Sequence, residues 1–150
     1  MNAIDLLKDD HREVERLFSE FLAAEDAASD QREEIFQQIE KELLTHEDIE
    51  EHIFYPAVAD FAARDVEEAL REHQEQRQAI SELLTIEVDD EEFEPKLIAL
   101  MEQVQHHVQD EEASDGLLET ARRQLSSEQL QTMAQAMRDL KEKSAADLAA

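Results

Sequence analysis

The sequence predicts an all-α protein: an up-down-up-down antiparallel four-helix bundle with an additional C-terminal helix. The 150 residues include one Gly, two Pro and no Trp, a composition with few residues that interrupt helices. Apolar residues recur at spacings of three and four in five stretches, as on the buried face of a helix. The short connections between the first four stretches favour antiparallel neighbours. We therefore expect a single domain over residues 1–150, with the bundle at about 3–122 and the last helix at about 126–147.

The first two helices follow from this spacing. The first is expected from about residue 3 to about residue 26, with an apolar stripe formed by Ile4, Leu7, His11, Val14, Phe18 and Phe21. Ser29 and Asp30 are expected to cap the second helix, because their side chains accept hydrogen bonds from free backbone amides. Pro56 is expected to bend or end it, because proline lacks the amide hydrogen that continues a helix.

The third and fourth helices are separated by an acidic connection. The third is expected to begin near Asp65, and residues 87–94 form the loop that follows it. Pro95 suits the first turn of the fourth helix, and Gly116 marks the end of that helix or a bend in it.

The last predicted helix opens at Ser126 and Gln129, which have the spacing of a capping box. Its apolar side is formed by Leu130, Met133, Met137 and Leu140. No residue of this helix is a candidate ligand. Its outer face is expected to pack either on its own bundle or on a second chain.

Charge and composition exclude several classes of function. The chain has 40 acidic and 14 basic residues, a net charge of -26, which repels nucleic-acid phosphates and anionic membranes. It has no cysteine, which excludes thiolate metal sites and iron-sulfur clusters. No signal peptide or membrane span is found in the sequence. We therefore expect a cytoplasmic protein with neither nucleic acid nor membrane as a partner.

Histidines on the apolar stripes indicate a metal site. Each of the four bundle helices places one histidine on its stripe, and two of these are followed four residues later by a glutamate on the same face. The candidate metal ligands are His11, His46, Glu50, His73, His107 and Glu111. A buried carboxylate without a counter-charge costs several kcal/mol, which a divalent cation offsets. No residue is assigned to catalysis or to binding an organic cofactor.

The register of the stripes separates these ligands from nearby residues of similar spacing. His106 and Asp110 repeat the spacing of His107 and Glu111, but they continue a polar face. Four residues are expected to face solvent: His52, Glu51, His106 and Asp110. Imidazole and carboxylate ligands without thiolate suit iron, manganese or zinc. The Glu-x-x-His pairs of ferritin-like di-iron bundles are absent from the sequence.

The motifs DHREVERLF, THEDIEEHIFYP, LREHQEQ and QHHVQDEE, in this order, resemble the hemerythrin-like, or HHE cation-binding, family. The resemblance implies a bundle that holds two iron ions joined by an oxo or hydroxo bridge. It also implies that Glu50 and Glu111 bridge the irons, that His11 and His46 serve one, and that His73 and His107 serve the other. The ligand would be dioxygen or a related diatomic or peroxide molecule, in a dry pocket lined by Phe18, Phe54, Ile80 and Val104.

Two positions depart from the family pattern. Oxygen-carrying members have a second histidine where this chain has Arg77, which cannot ligate a metal. Either water or Glu47 is expected to fill the missing position; an extra acidic residue resembles an iron-sensing branch of the family. After Glu111 the family often has an apolar residue and a proline, whereas this chain continues with residues 112–116, EASDG.

Three functions remain open at the level of the sequence. The ligand set favours a non-enzymatic di-iron module that binds or senses dioxygen or iron. The alternative is a di-iron enzyme that consumes hydrogen peroxide or nitric oxide at an under-ligated iron. A third interpretation is a metal-free acidic interaction bundle. The physiological ligand, the oligomeric state and any protein partner are unknown.

Overall fold

The computed structural model describes residues 1–149, with side chains through residue 147, and in that range its secondary structure consists of helices joined by short turns and loops. The elements are α1 (Ala3–Ala23), α2 (Ser29–Ile49), a π-helical turn (Glu50–Phe54), α3 (Tyr55–Val58), α4 (Ala63–Leu83), α5 (Phe93–Glu112), α6 (Leu117–Gln124) and α7 (Ser127–Ala149). Helix α1 packs against α2 and α4 against α5, and contacts of α1 with α5 and α2 with α4 complete the bundle. The predicted fold class is confirmed.

The ends of the helices differ from the prediction where local capping decides them. Asn2 and Asp5 form the capping box that begins α1, which ends at Ala23 rather than near residue 26. The expected caps of α2 are wrong, because Ala28 is its N-cap and no side chain caps it. Ser126 and Gln129 form the predicted capping box, since each accepts a hydrogen bond from the other's backbone amide.

A π-helical turn follows α2 where the sequence predicted a bend at Pro56. It covers Glu50–Phe54, and the amide of Tyr55 donates to the carbonyl of Glu50 across this wider turn. Pro56 lies in the first turn of α3, where its missing amide hydrogen is not needed. Such turns insert a residue into a helix and often occur at functional sites. Here the turn carries Glu50 and Glu51.

Gly116 is required by a close approach of two backbones. It lies just before α6, and a Cβ at this position would come within 2.2 Å of the carbonyl oxygen of Asp110 and 2.7 Å of that of Glu111. Only glycine therefore permits the chain to turn back so tightly against the end of α5. This turn replaces the apolar residue and proline of the family pattern.

Helix α7 packs on its own bundle, one of the two arrangements expected from the sequence. It contacts α1, α2 and the π-helical turn, and it buries Leu130, Ala134 and Met137. Over residues 1–149, each helix is too short or too polar to cross a lipid bilayer. The assignment of the whole chain to one domain and its cytoplasmic location stay predictions.

The apolar core consists of two clusters. One contains Phe18, Ile80 and Val104, and the other contains Phe54 with Tyr55. The four residues expected to line a single dry pocket are therefore divided between the clusters. The layer of candidate ligands lies between the two clusters along the helices, since in sequence these residues fall between residues of one cluster and residues of the other.

Candidate metal centre

The structure brings all six candidate ligands together in the middle of the bundle. Their ligand atoms form two groups, in each of which all atoms lie within 4.8 Å of one another. The first group contains His11, His46, Glu50 and Glu111, and the second contains Glu50, His73, His107 and Glu111. The two groups share Glu50 and Glu111, one from the π-helical turn and one from α5. Each of the two groups could hold a cation, and the two carboxylates belong to both. We call the two groups the first and the second half-site.

Each of the four candidate histidines contacts a carboxylate through the imidazole nitrogen that faces away from the shared glutamates. These contacts connect the helices in a closed ring. In each histidine Nδ1 contacts the carboxylate of a different helix: Asp10 of α1 with His46 of α2 at 3.0 Å, Glu51 of the π-helical turn with His73 of α4 at 2.8 Å, Glu72 of α4 with His107 of α5 at 2.7 Å, and Glu112 of α5 with His11 of α1 at 2.6 Å. An Nδ1–H that donates to a carboxylate leaves Nε2 free to face a metal. The ring therefore orients four Nε2 atoms toward the shared glutamates.

Four polar atoms of the six candidate ligands have no hydrogen-bond partner. Nε2 of His11, Nε2 of His46, Oε2 of Glu50 and Oε1 of Glu111 are buried and make no hydrogen bond within the described structure. His46 Nε2 lies 3.1 Å from Glu50 Oε1 and His11 Nε2 lies 3.4 Å from Glu111 Oε1, without hydrogen-bond geometry. Buried polar groups in folded proteins are almost always paired. Nitrogen and oxygen atoms that converge in this way fit a bound cation.

Tyr55 enters the second half-site. Its hydroxyl lies 3.2 Å from Nε2 of His73 and 3.3 Å from Nε2 of His107, and it donates to Glu111 Oε2. The Nε2 atoms of these two histidines are 3.2 Å apart. Burial and the neighbouring Glu111 raise the pKa of Tyr55, so that the phenol keeps its proton. The second half-site therefore contains a proton donor that the first lacks.

The histidines and the carboxylates of the cluster shift each other's pKa values. Burial opposes the charged form of His46, but Glu50 and Asp10 together raise its pKa to about 10. Burial likewise opposes the charged form of Glu50, whose pKa the histidines nevertheless hold well below its usual value. The histidines and the carboxylates therefore stabilise each other's charged forms. A divalent cation replaces the protons of its histidine ligands when it binds.

Arg77 pairs with carboxylates at the edge of the second half-site. Its guanidinium donates to Glu51 at 2.5 Å and lies 3.1 Å from Glu47 Oε1. Glu47 is 1% exposed, and burial raises its pKa to about 7, against the opposing effect of His73 and Arg77. Glu47 is in neither group of converging ligand atoms. It stands beside the site, 3.1 Å from the arginine, and both of its carboxylate oxygens are buried without a hydrogen-bond partner in the described structure.

Several contributing residues were not identified from the sequence. His52, His106 and Asp110 are exposed, as expected, but Glu51 turns toward His73 and Arg77 and is not a solvent-facing residue. The sequence contains one signal that could have identified the supporting carboxylates, because each of them is next to a candidate ligand: Asp10, Glu51, Glu72 and Glu112. Lys141 of α7 also contributes by donating to Asp10, and it had no such signal.

Comparisons with known proteins agree with this architecture. A DNA nickase of Nostoc sp. is 33% identical over 144 residues, which are 95% of this chain and 40% of that protein, so the chain spans about two-fifths of the length of this relative. The crystal structure of a hemerythrin HHE cation-binding domain-containing protein from Mycobacterium kansasii has a TM-score of 0.77 at 20% identity, covering 96% of this chain and 87% of that chain. The family model described as hemerythrin HHE cation binding domain matches residues 2–115. With its buried histidine and glutamate cluster, which fits a metal site, the chain belongs to the hemerythrin HHE cation-binding domain family.

Proposed function

We propose that this protein is a non-heme di-iron module that binds or senses dioxygen or iron. The observation that carries the proposal is the pair of half-sites that share Glu50 and Glu111. Imidazole and carboxylate donors suit iron, and two shared carboxylates suit two ions joined by an oxo or hydroxo bridge. Family membership supports cation binding by this domain.

The proposed ligands divide between the two ions as the half-sites do. His11 and His46 hold one iron, His73 and His107 hold the other, and Glu50 and Glu111 bridge them. When bound, the iron pair supplies electrons and an open coordination position for a small oxidant or diatomic ligand. The protein keeps bulk water away, since all six ligand residues are 6% exposed or less. We propose that water rather than Glu47 would complete the coordination beside Arg77, because Glu47 is in neither group of converging ligand atoms.

Anaerobic reconstitution with ferrous iron tests the proposal. We expect about two irons per chain, and a charge-transfer absorption in the ultraviolet and visible range after exposure to air. A spectrum that reverts on removal of oxygen indicates reversible binding, whereas one that persists indicates sensing through oxidation. His52→Gln is the matched control, because this histidine is exposed and is not a proposed ligand. Fewer than about two irons per chain in the wild-type protein contradicts the proposal.

Tyr55 favours a second function, consumption of hydrogen peroxide or nitric oxide. Reduction of peroxide requires protons at the reacting oxygen, and the buried phenol lies within hydrogen-bond distance of atoms from His73, His107 and Glu111. Steady turnover by the iron-loaded protein, with a loss in Tyr55→Phe at unchanged iron content, supports an enzyme. Absence of turnover above free iron contradicts it.

A metal-free interaction bundle is the third function, and chelation tests it. At a free cation concentration of about 100 times Kd, binding stabilises the folded state by ~2.7 kcal/mol. For a chain of this size we expect chelation to lower Tm by roughly 5–10 °C. An unchanged Tm after complete removal of metal supports the metal-free function.

Nucleic acid as a partner requires a separate test because of the relative named a DNA nickase. That activity is a property of the relative, of which this chain matches 40%. We propose that this chain does not bind DNA, because its net charge of -26 repels phosphates. We expect no retardation and no nicking of supercoiled plasmid by the iron-loaded or manganese-loaded protein. Nicking that a proposed ligand variant abolishes contradicts this expectation.

A further inference from the structure

An acidic cavity connects the second half-site with the protein surface. It has a volume of about 250 Å³ and lies where α4, the end of α5 and the start of α6 meet. Its lining includes two of the proposed ligands, His107 and Glu111. The other charged lining residues are all acidic: Asp65, Glu68, Glu72, Asp110 and Asp115. A passage lined by carboxylates attracts cations and repels anions.

Glu72 joins the outer part of this cavity to the buried site. One carboxylate oxygen contacts Nδ1 of His107 at 2.7 Å, and the other lies 3.7 Å from Nε2 of His106. His106 Nε2 is also 3.2 Å from Asp110, so that Glu72, His106 and Asp110 form a third group of converging ligand atoms. The exposed fraction of the side chain falls from 67% at His106 through 11% at Glu72 to 4% at His107. Glu72 and Asp110 line the cavity and His106 lies beside them, so the group leads from solvent to His107.

A second observation at the inner end points to a cation. Glu111 is 3% exposed and lines the cavity, and its buried Oε1 atom makes no hydrogen bond and lies 3.4 Å from Nε2 of His11, so a cation that passes this residue reaches both half-sites. On the rim, Arg71 neutralises Glu68, but Asp65 and Asp115 have no basic partner within ion-pair distance in the described structure. The neighbouring cavity lined by Arg12 and Glu112 contains none of the six proposed ligands. The positive side chain of Arg12 therefore lines that cavity, whereas no Lys or Arg of the described residues lines the acidic one.

We propose that the acidic cavity is the route by which divalent cations reach the half-sites, and that Glu72, His106 and Asp110 hold a cation weakly at its mouth. This inference rests on the proposed metal centre, because it assigns the path by which that centre is filled. The small residues Ala69, Ala113 and Gly116 line the cavity and leave the path open. Two of the three mouth residues are exposed, so a cation there keeps part of its hydration and exchanges rapidly.

The rate of cation uptake, separated from the final content, tests the route. Metal-free protein is mixed with Co²⁺ at low ionic strength, and the absorption of the bound ion is followed with time. The variant is the double change His106→Gln and Asp110→Asn; Glu72 is left intact because it supports His107. We expect uptake to be about three- to tenfold slower, with an unchanged final number of cations per chain, and the difference to shrink as salt is added.

Two matched variants provide the control. Glu91→Gln removes one exposed carboxylate from the connection between α4 and α5, and His52→Gln removes one exposed imidazole. We expect wild-type rates from both. Equal uptake rates for wild type and the double variant overturn the route while leaving the metal centre intact. A wild-type protein that takes up no cation contradicts the proposed function itself, and the final content distinguishes the two results.

Occupancy of the mouth is measured directly with Mn²⁺ alone. The half-sites are first filled with Zn²⁺, and substoichiometric Mn²⁺ is then added while the histidine side-chain resonances are recorded. We expect the resonances of His106 to broaden several-fold more than those of His52, and the Asp110→Asn variant to remove this preference. Equal broadening of the two exposed histidines overturns the holding role of the mouth.

Discussion

The two half-sites have the same kinds of ligand but different surroundings. Each has two histidines and the shared Glu50 and Glu111. In the first half-site the inward histidine nitrogens make no hydrogen bond, whereas those of the second meet the hydroxyl of Tyr55. The difference shows that ligand identity does not make two positions equivalent. The first half-site leaves its inward nitrogen atoms without partners, and the second places a proton donor beside its inward nitrogen atoms.

The residues behind the histidines continue this comparison. The carboxylate behind His46 is Asp10, which accepts a hydrogen bond from Lys141. The carboxylate behind His73 is Glu51, which accepts from Arg77. Lys141 and Arg77 are both 35% exposed, so they form a matched pair of cations, one for each half-site. Variants at the two positions therefore compare the half-sites under similar solvent exposure.

The largest expected effect is that of removing a shared ligand. Glu50→Gln replaces a fully buried carboxylate that belongs to both half-sites, so we expect cation content to fall from about two per chain to below one. Elemental analysis after gel filtration measures the content, and circular dichroism checks the helical fold. Glu94→Gln, which changes a glutamate in the first turn of α5, is the control. Two cations per chain in Glu50→Gln would show that this carboxylate is not a bridge.

Removing one histidine from each half-site separates the two positions. We expect His46→Gln and His73→Gln each to retain about one cation per chain, because the shared glutamates and the other histidine pair remain. Titration with Co²⁺ followed by absorption measures the number and the affinity of the remaining cations. If either variant loses both cations, the two half-sites bind cations only together, which means that binding at one half-site depends on binding at the other.

A smaller effect is expected from the matched cations. Lys141→Met leaves Asp10 without its basic partner and weakens the orientation of His46, whereas Arg77→Met does the same for Glu51 and His73. Loss of the carboxylate that directly supports a ligating histidine changes metal affinity by about 10- to 100-fold; Lys141 and Arg77 act one contact further out, so we expect a loss of less than about tenfold. Competition with a chelator in the His46→Gln and His73→Gln backgrounds assigns each loss to its half-site. Equal losses in both half-sites for either variant contradict the assignment.

The smallest effect on cation content is expected for Tyr55→Phe. The phenol donates to Glu111 and keeps its proton, so its removal leaves all six proposed ligands in place. We expect about two cations per chain and a changed rate of oxidation by air, measured by absorption after anaerobic loading with iron. The loss of one cation would instead identify Tyr55 as a ligand of the second half-site.

The ligands were accessible to sequence analysis because they obey the geometry of single helices. His46 and Glu50 share a helix face, so their burial follows from the spacing of neighbouring apolar residues. Glu51 was misplaced because it lies in the π-helical turn, whereas the spacing argument assumes 3.6 residues per turn. The contact of Lys141 with Asp10 spans 131 positions, and no local pattern encodes such a pair. Local periodicity therefore predicted that the candidate ligands are buried together, but tertiary packing decided which side chains support them.

Because the carboxylates and histidines form a closed ring of contacts, a helix that supplies one histidine of the centre also supports the histidine of a neighbouring helix. Helix α1 supplies His11 and, through Asp10, steadies the histidine of α2; α5 supplies His107 and, through Glu112, steadies the histidine of α1. A protein divided between α2 and α4 would therefore leave each half with a histidine whose supporting carboxylate is on the other fragment. The two fragments would have to associate before either could bind a cation tightly. In the intact chain, the packing of the helices into the bundle therefore also completes the centre.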